Sequence, residues 1–357
     1  MEIDYKAKLR ELLAITNQEQ ASDFHVSAGH PPILRISGRL LPLVRENILL
    51  PQDTEGLAFA LMSDGQRERF LANKEIDFSY GSEDGARFRV NVFFQRGFIS
   101  IAMRLIPKKV RTVEELNLPP ILHEFTRPSQ GFLVMTGPSS HGKSTTLAAL
   151  IDEINHTRAE HIITIEDPIE YIFQDDKSVI DQREIYLDSM SFARALRSTF
   201  RQDPDIIVLG EMRDPETIST AITAAETGHL VFATLHTNSA SQTIHRIIDS
   251  FPPEQQSQIR AQLSGSLLGV ISQRLIPRLK GGLIPACEIM VTTPAVANLI
   301  RENKIHELDF IIETSAEIGM ISLNRSLANL VKSREISLEN AINYSLSPNE
   351  LRRLLRK

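Results

Sequence analysis

The sequence contains no tryptophan and a single cysteine. Cys287 is the only cysteine among 357 residues, which excludes an intrachain disulfide framework and a zinc site built mainly from thiolates. The longest apolar stretches, such as 132–136 and 206–209, are far shorter than the roughly 20 residues that a transmembrane helix needs. The first residues carry charges of both signs and no apolar signal core. We therefore expect a soluble, cytoplasmic protein.

The sequence also has no excess of basic over acidic residues. Lysine and arginine number 39 against 45 aspartates and glutamates, and aromatic residues make up only 6%. This composition does not favour a nucleic-acid binder, which needs a basic surface and stacking aromatics. A nucleic-acid motor stays an alternative, because a local basic face can exist within this balance. The content of 42% hydrophobic and 24% charged residues excludes wholesale disorder, and the length predicts two domains.

The first hundred residues show the patterns of an α+β domain with an antiparallel sheet. Helices are predicted at 8–14, 52–62 and 65–71, and strands at 24–27, 33–37, 39–43, 75–80, 86–94 and 98–105. The polar stretch 107–111 then interrupts the apolar periodicity with a proline and three basic residues. We predict a first domain over 1–107, a linker over 108–117 and a second domain over 118–357.

From Gly131 onward, short apolar runs alternate with helical segments. This alternation is typical of buried parallel strands in an α/β domain. The runs lie at 132–136, 162–165, 206–209 and 230–235. Because ligands of such sheets bind beyond the carboxyl ends of the strands, the residues that follow each run are the candidates for chemistry.

A complete G-x-x-x-x-G-K-S motif follows the first run. In this motif, backbone N–H groups and the start of the next helix surround phosphates. Lys143 would contact the β- and γ-phosphates, and the Ser144 hydroxyl would ligate Mg²⁺. The strand before the motif and the helix predicted over 145–154 argue against an accidental match. The predicted nucleotide-binding residues are Gly137, Pro138, Ser139, Ser140, His141, Gly142, Lys143, Ser144 and Thr145.

Carboxylates follow two further runs. Glu211 comes directly after 206–209 and Gly210, where a P-loop enzyme places either a Mg²⁺ ligand or the residue that orients water. Gly210 occupies the position at which the Walker B pattern has aspartate, so Glu166 is the candidate for the metal-side carboxylate. Glu166 opens an acidic stretch that continues to Glu170. A solvated turn is the alternative there, since proline and acidic residues also mark loops.

Two histidines lie near the predicted strand ends. His236 follows the run 230–235 directly, so we expect it beside the carboxylates and the γ-phosphate. His229 precedes the same run and has the weaker position. A metal site of two histidines and a carboxylate is conceivable, but the phosphate loop favours a γ-phosphate sensor.

Four segments resemble the boxes of secretion-type ATPases. Segments 137–144, 165–171, 201–214 and 224–237 are similar to the Walker A, aspartate, Walker B and histidine boxes, in that order. Within this superfamily the chain resembles the PilT/PilU family of type IV pilus retraction motors nearly end to end. Segments 22–26, 87–91 and 298–302 are also similar to that branch, and a four-cysteine zinc insertion and a long amino-terminal extension are both missing. The tail 347–352 is similar to PilU, whereas the Walker B and histidine boxes are similar to PilT.

The resemblance implies a PAS-like amino-terminal domain joined to a RecA-like ATPase domain in a hexamer. It implies Mg²⁺-dependent ATP hydrolysis that drives pilus retraction and twitching motility. The implied partners are a platform protein of the inner membrane, through which the motor would be peripheral to that membrane, and a paralogous retraction ATPase. No nucleic acid is expected.

The resemblance also assigns roles to residues. Glu211 matches the catalytic glutamate, Glu166 and Glu170 the aspartate-box acids, and His229 and His236 the histidine-box pair. Arg246 matches a nucleotide-side arginine, while Arg89 and Arg104 match arginines that approach nucleotide as the ring closes. Cations on a solvated strand face are the alternative for the last two. The expected catalytic residues are Glu211, Lys143, Glu166, His236 and His229.

Several positions depart from the family. Ser140 and His141 stand where the family usually has glycine and then serine or threonine, and Tyr186 also replaces a glycine. A positive φ at Ser140 would cost about 1–2 kcal/mol. The alternative function is therefore an accessory ring subunit that binds nucleotide and works only with an active paralogue. Arg197 and Arg201 are four apart on a predicted helix and face either the site or an interface. The segment 351–357 is predicted as a packing helix rather than a membrane-surface helix.

Overall fold

The protein divides into two compact units. The computed structural model describes residues 3–36, 38–107 and 109–356. The first unit comprises Met1–Lys109 with Asp167–Ile172, and the second comprises Val110–Glu166 with Phe173–Lys357. The two units are described separately below.

Some bounds of the sequence predictions lie outside the described residues. These are Met1, at the start of the predicted first domain, Ser37, at the end of a predicted strand, Lys108, at the start of the predicted linker, and Lys357, at the end of the predicted second domain and of its terminal helix. The change of unit falls between Lys109 and Val110. Val113 and Leu118 are buried in the core of the second unit, so residues 110–117 pack as part of that unit.

The described part of the first unit contains an antiparallel sheet and three helices. The strands follow the order β3-β2-β1-β6-β5-β4, and each neighbouring pair is antiparallel. The elements are α1 (Tyr5–Gln18), β1 (Asp23–Val26), β2 (Ile33–Ile36), β3 (Arg39–Pro42), α2 (Pro51–Leu61), α3 (Asp64–Asn73), β4 (Glu75–Gly81), β5 (Arg87–Gln95) and β6 (Phe98–Ile106). The α+β domain predicted from the sequence is thus confirmed.

Apolar spacing explains this unit. In β5, Phe88, Val90 and Val92 are fully buried on one face, while the residues between them lie on the half-exposed other face. In α1, apolar side chains three and four residues apart are buried against the same core. The Asp4 carboxylate caps α1 by accepting hydrogen bonds from the N–H groups of Lys6 and Ala7.

The second unit is built on a seven-stranded sheet. Its strand order is β13-β12-β7-β11-β10-β8-β9, and only β13 is antiparallel to its neighbour. The strands are β7 (Gly131–Thr136), β8 (His161–Glu166), β9 (Val179–Glu184), β10 (Ile206–Leu209), β11 (Leu230–Thr234), β12 (Leu267–Pro277) and β13 (Leu283–Val291). All residues of β7, β10 and β11 are buried, as expected for parallel strands covered on both faces.

Ten α-helices and three short 3₁₀ segments complete the described part of this unit. The helices are α4 (Lys143–Thr157), α5 (Phe192–Thr199), α6 (Pro215–Glu226), α7 (Ala240–Asp249), α8 (Pro253–Ser266), α9 (Pro294–Arg301), α10 (Leu308–Thr314), α11 (Leu323–Lys332), α12 (Leu338–Tyr344) and α13 (Pro348–Arg356). The 3₁₀ segments are Pro120–Thr126, Ile305–Glu307 and Ala316–Ile318. Leu351 of α13 is fully buried with Ile276 and Leu327, so α13 packs on the unit as predicted. None of the described helices is long and apolar enough to cross a membrane.

The sequence predicted four of the seven strands. The runs at 132–136, 162–165, 206–209 and 230–235 correspond to β7, β8, β10 and β11. Because these strands are parallel, the residues after β7, β8, β10 and β11 meet at one edge of the sheet. This edge carries the candidate site.

Candidate nucleotide site

A tight loop joins β7 to α4. Gly137 and Gly142 both adopt positive φ, at 135° and 82°. A Cβ atom at Gly137 would lie 2.2 Å from the carbonyl oxygen of Gln273, so this position excludes any side chain. The loop ends at the N-terminus of α4, where backbone N–H groups and the helix dipole attract anions. Ser144, in the first turn of α4, is exposed at this helix start.

Ser140 and Tyr186 have left-handed backbones although neither is glycine. Ser140 has φ 63° and Tyr186 has φ 69°. A side chain makes this conformation costlier than it is for glycine, by about 1–2 kcal/mol. The positive φ considered for Ser140 from the sequence is therefore present in the fold.

The Lys143 ammonium lies inside the loop. Its Nζ donates hydrogen bonds to the carbonyl oxygens of Gly137 (2.8 Å) and Pro138 (2.9 Å), and it lies 3.3 Å from Nδ1 of His236. The residue is 7% exposed. A buried positive charge surrounded by loop carbonyls is thus held where the motif predicts phosphate.

The His141 ring packs on β12. Its Nδ1 accepts a hydrogen bond from the Leu275 N–H (2.9 Å), and the ring meets Tyr344 edge-on at 6.3 Å between centroids. Burial lowers the pKa of His141, and the positive charges of Arg274 and Lys143 lower it further. An acceptor role at Nδ1 requires the neutral ring, so the fold favours neutral His141.

Glu211 follows β10 and is held by two basic side chains. Its side chain is only 13% exposed. One carboxylate oxygen forms an ion pair with the Arg213 guanidinium, and the other lies 3.5 Å from Nε2 of His236. The two contacts orient the carboxylate at the edge of the sheet where the phosphate loop begins.

His236 connects the two halves of this cluster. Its Nδ1 faces the Lys143 ammonium and its Nε2 faces the Glu211 carboxylate. The imidazole therefore lies between the phosphate loop and the carboxylate that follows β10. This is the position expected of a residue that senses the terminal phosphate.

Three threonines fix the backbone next to His236. The Thr237 N–H donates to Thr136 Oγ1 (2.9 Å), and Thr136 Oγ1 donates to the Thr237 carbonyl (2.9 Å). The Thr237 hydroxyl also lies 2.6 Å from the Thr243 hydroxyl on α7. Thr136 is the last residue of β7, directly before the phosphate loop, so these bonds tie the His236 loop to the start of that loop.

Gly210 permits a close approach of β8 and β10. A Cβ atom at this position would lie 3.2 Å from the Ile165 carbonyl oxygen and 3.3 Å from Cα of Glu166. Any side chain at this position, an aspartate included, would need the β8 backbone to shift by a few tenths of an ångström. The nearby Glu166 carboxylate accepts hydrogen bonds from Thr164 Oγ1 (2.7 Å) and Gln182 Nε2 (3.2 Å), which set its orientation at the end of β8.

Within the first unit, two predicted site residues form an ion pair. The Arg89 guanidinium lies 2.9 Å from the Glu170 carboxylate, and Arg89 is 41% exposed. Arg104 is the cross-strand partner of Arg89 and pairs with Asp23 at 2.9 Å. Both arginines therefore lie on one half-exposed face of the sheet with carboxylate partners.

Three other predicted residues are not brought to the cluster around Glu211. His229 precedes β11, and its Nδ1 lies 2.9 Å from the Ala224 carbonyl oxygen while its ring packs edge-on against Phe200. The length of β11, five residues at about 3.3 Å each, separates His229 from His236 by roughly 16 Å. The two histidines cannot share one metal ion within a subunit. Arg246 is exposed in the last turn of α7, and Arg197 pairs with Glu216 at 2.7 Å.

Sequence reasoning missed three residues around the loop. Arg213 follows Glu211 by two positions and Thr237 follows His236 directly. Their closeness in sequence to predicted site residues could have identified both. Gln273 lies in the apolar stretch of β12 and is buried at 2% exposure. A polar residue within an apolar run often marks a buried hydrogen-bonding role.

Comparison with known proteins places the chain among secretion ATPases. The profile of the family described as type II/IV secretion system protein matches residues 11–343. The type IV pilus retraction ATPase PilT of Pseudomonas aeruginosa is 46% identical over 338 residues, which cover 93% of this chain and 96% of that protein. The type IV pilus ATPase PilU of the same organism is 38% identical over 350 residues, which cover 98% of this chain and 91% of that protein.

A solved structure agrees with these sequence matches. The crystal structure of the pilus retraction motor PilT with bound ADP is similar to this chain with a TM-score of 0.89 and 46% identity, over 96% of this chain and 98% of that one. The fold expected from the sequence, a RecA-like ATPase domain preceded by a smaller α+β domain, is confirmed by this match. The chain belongs to the type II/IV secretion system protein family and, within it, to the group of type IV pilus retraction ATPases that includes PilT and PilU.

Proposed function

We propose that this protein is a motor ATPase that hydrolyses ATP to drive type IV pilus retraction and twitching motility. The observation that carries the proposal is the cluster of Lys143, His236 and Glu211, which joins the phosphate loop to a buried carboxylate through one imidazole. Relatives at 46% and 38% identity that bear the names of pilus ATPases support the biological role.

The residues present fit a nucleoside triphosphate with Mg²⁺. The loop has the positive-φ glycines that let backbone approach phosphate, and its helix start supplies N–H donors. Lys143 would exchange its bonds to the loop carbonyls for phosphate oxygens. Ser144 and Glu166 would hold the metal ion, with Glu170 as a further acid of the aspartate box. When bound, Mg²⁺ neutralises charge on the β- and γ-phosphates.

Hydrolysis would use groups that the fold already orients. Glu211 would orient and deprotonate the attacking water, since its carboxylate is held by Arg213 and faces His236. Lys143 would stabilise the charge that develops on the transferred phosphoryl group. His236 would report the terminal phosphate to the loop after β11, through the threonine bonds beside it.

The motor would work as a homo-hexamer with an arginine contribution from the first unit. Arg89 and Arg104 would approach nucleotide as the ring closes, after exchanging their present partners Glu170 and Asp23. A platform protein of the inner membrane would be the docking partner and would place the motor beside that membrane. A paralogous retraction ATPase is a second partner.

An accessory role is the second candidate function. Ser140 has a left-handed backbone at the phosphate loop, and the chain is 38% identical to PilU over nearly its full length. A loop held in this conformation would bind nucleotide but turn it over slowly, and such a subunit would depend on an active paralogue.

The decisive experiment is steady-state ATP turnover by the purified protein alone. The wild type and Glu211→Gln should be compared at equal assembly state, measured by light scattering. Turnover in the wild type and none in Glu211→Gln, with ATP binding retained in both, supports the motor. Binding without turnover in both proteins, with turnover restored by a paralogue, favours the accessory role.

A further inference from the structure

Gln273 contacts the phosphate loop and the helix after it. Its Nε2 donates to the His141 carbonyl (2.9 Å), and its Oε1 accepts from the Thr146 hydroxyl (2.8 Å). The side chain is buried and Thr146 is fully buried in the first turn of α4. One planar amide therefore joins the loop to the helix whose start would bind phosphate.

Both glycines of the phosphate motif lie against Gln273. A Cβ atom at Gly137 would lie 2.2 Å from the Gln273 carbonyl oxygen, and one at Gly142 would lie 2.9 Å from Gln273 Nε2. The first clash is with rigid backbone, whereas the second is with the end of a side chain. The loop thus follows β12 from its first glycine to its last.

Neighbouring residues of β12 extend this contact. The Leu275 N–H donates to His141 Nδ1 (2.9 Å). The Ser272 hydroxyl donates to the Asn238 carbonyl (3.1 Å), and Arg274 donates to Asn238 Oδ1 (3.2 Å). β12 therefore supports both the phosphate loop and the loop that carries His236.

We propose that Gln273 is a positioning residue that sets the phosphate affinity of the loop by fixing it relative to the start of α4. The inference rests on the proposed binding of ATP. A phosphate loop binds through several N–H groups aimed at one centre, so a small displacement weakens several contacts together. Without the amide, the His141 carbonyl and the Thr146 hydroxyl lose their shared hydrogen-bond partner. The side-chain bridge that fixes the position of the loop relative to α4 is then lost.

The test compares nucleotide affinity with stability in the full-length protein. Gln273→Leu removes both hydrogen bonds at similar volume, and we expect the dissociation constant of a non-hydrolysable ATP analogue to rise about tenfold or more. Ser326→Ala is the matched control, because its buried hydroxyl accepts from the Cys287 N–H on β13. This control should lower stability and leave the dissociation constant unchanged.

Gln273→Glu adds a readout that a purely structural role would not change. Its carboxyl group, when protonated, can still donate to the His141 carbonyl and accept from Thr146, but the ionised form cannot donate. We expect analogue affinity relative to wild type to recover as the pH falls from 8 to 5.5. Comparison with wild type at each pH corrects for the titratable and charged groups around the loop and Gln273, which include His141, Lys143, His236, Arg274 and Cys287.

The outcomes separate this inference from the proposed function. A wild type that binds the analogue, with Gln273→Leu and Gln273→Glu binding equally well, overturns the inference alone. An affinity loss in Gln273→Glu that is the same at every pH also overturns it, because hydrogen-bond donation then does not matter. A wild type that binds no analogue overturns the proposed function and this inference with it. If Gln273→Leu does not fold, Thr146→Val removes one of the two bonds and should weaken binding in the same direction.

Discussion

The Nε2 atom of His236 lies 3.5 Å from a carboxylate oxygen of Glu211, and the Nδ1 atom of the same ring lies 3.3 Å from the Lys143 ammonium. A single imidazole thus touches the proposed catalytic base and the phosphate-binding lysine.

This arrangement predicts that His236→Gln keeps ATP binding and loses turnover. We expect kcat to fall by on the order of 10², while the dissociation constant for ATP changes only a few-fold. Steady-state kinetics and equilibrium binding measure the two effects. His245→Gln, on the exposed face of α7, is the control. Equal losses of binding and turnover in His236→Gln would assign the ring to ground-state binding instead.

The left-handed backbone of Ser140 predicts a gain in stability for Ser140→Gly. Because φ is already 63° in this fold, the strain belongs to the folded protein as a whole and not only to a nucleotide complex. Glycine relieves about 1–2 kcal/mol of strain and costs about 0.4–1 kcal/mol of backbone entropy, so the free energy of unfolding should rise by up to about 1.6 kcal/mol. Urea unfolding measures this.

The same variant should change ATP affinity less than about threefold, which corresponds to under about 0.7 kcal/mol. Ser139→Gly is the matched control, since Ser139 is not among the described residues with positive φ, and its substitution should only destabilise. A tenfold gain in ATP affinity for Ser140→Gly would place the strain in the bound state alone.

The lowered pKa of His141 predicts a loss of stability in acid. Burial, Arg274 and Lys143 keep the folded-state pKa below the ordinary value of 6.5, so the unfolded chain binds more protons in this range. The contribution is therefore fully present above about pH 6.5 and is lost as the pH falls through the lower folded-state value. His141→Asn, which keeps an acceptor for the Leu275 N–H, should flatten this dependence in urea unfolding between pH 7.5 and 5.

ATP binding tests a competing role for the same ring. If wild-type affinity rises as the pH falls, and His141→Asn removes this rise, the protonated ring donates to phosphate. We expect neither effect, because Nδ1 is already engaged with β12.

The buried carboxyl group of Glu288 predicts the opposite pH dependence, a loss of stability as the pH rises. Burial on β13 raises the pKa of Glu288 from 4.5 to about 7, although its Oε1 accepts from the Ala240 N–H at 2.7 Å. A folded-state value above the unfolded one gives stability that is complete below about pH 4.5 and lost as the pH rises through about 7.

Glu288→Gln keeps an acceptor for Ala240 and carries no charge. It should be more stable than wild type at pH 8, by at most about 3 kcal/mol, and should show a flatter pH profile in thermal or urea unfolding. Glu339→Gln, an exposed residue of α12, is the control. An unchanged profile in Glu288→Gln would mean that the carboxylate is ionised and fully compensated in the fold.

The Arg89–Glu170 pair predicts a turnover defect without a binding defect. If Arg89 exchanges this partner for nucleotide during ring closure, Arg89→Ala should bind ATP normally and lose turnover by on the order of 10³. Arg10→Ala, which breaks another arginine–glutamate pair of the first unit, is the control. Wild-type turnover in Arg89→Ala would show that Arg89 is only a cation on the solvated face of its strand and takes no part in hydrolysis.

The central strands and the site at their ends were predictable because of two simple patterns. β7, β10 and β11 are apolar over nearly their whole length, and the residues after parallel strands must meet at one edge. This logic places Lys143, Glu211 and His236 together from the sequence alone.

Other features depend on partners that no local pattern shows. β9 lies at the sheet edge and has only two apolar residues, which are followed by four polar ones, so it contains no apolar run long enough to mark a strand. β12 and β13 form a hairpin, and β12 pairs with β7. Neither segment has a local sequence pattern that predicts pairing with a strand so distant in the chain. The ion pair of Glu211 with Arg213 likewise depends on side-chain direction.

Residues 167–172 determine where the chain can be divided into fragments, because they belong to the first unit but lie between two parts of the second. The polypeptide leaves the second unit after Glu166, contributes this short segment to the first unit and returns at Phe173. A fragment that ends at Lys109 would therefore lack Glu170, the carboxylate partner of Arg89, and one that starts at Val110 would carry a segment that belongs to the first unit. The two halves of this protein are interleaved in sequence, so neither can be excised by a single cut.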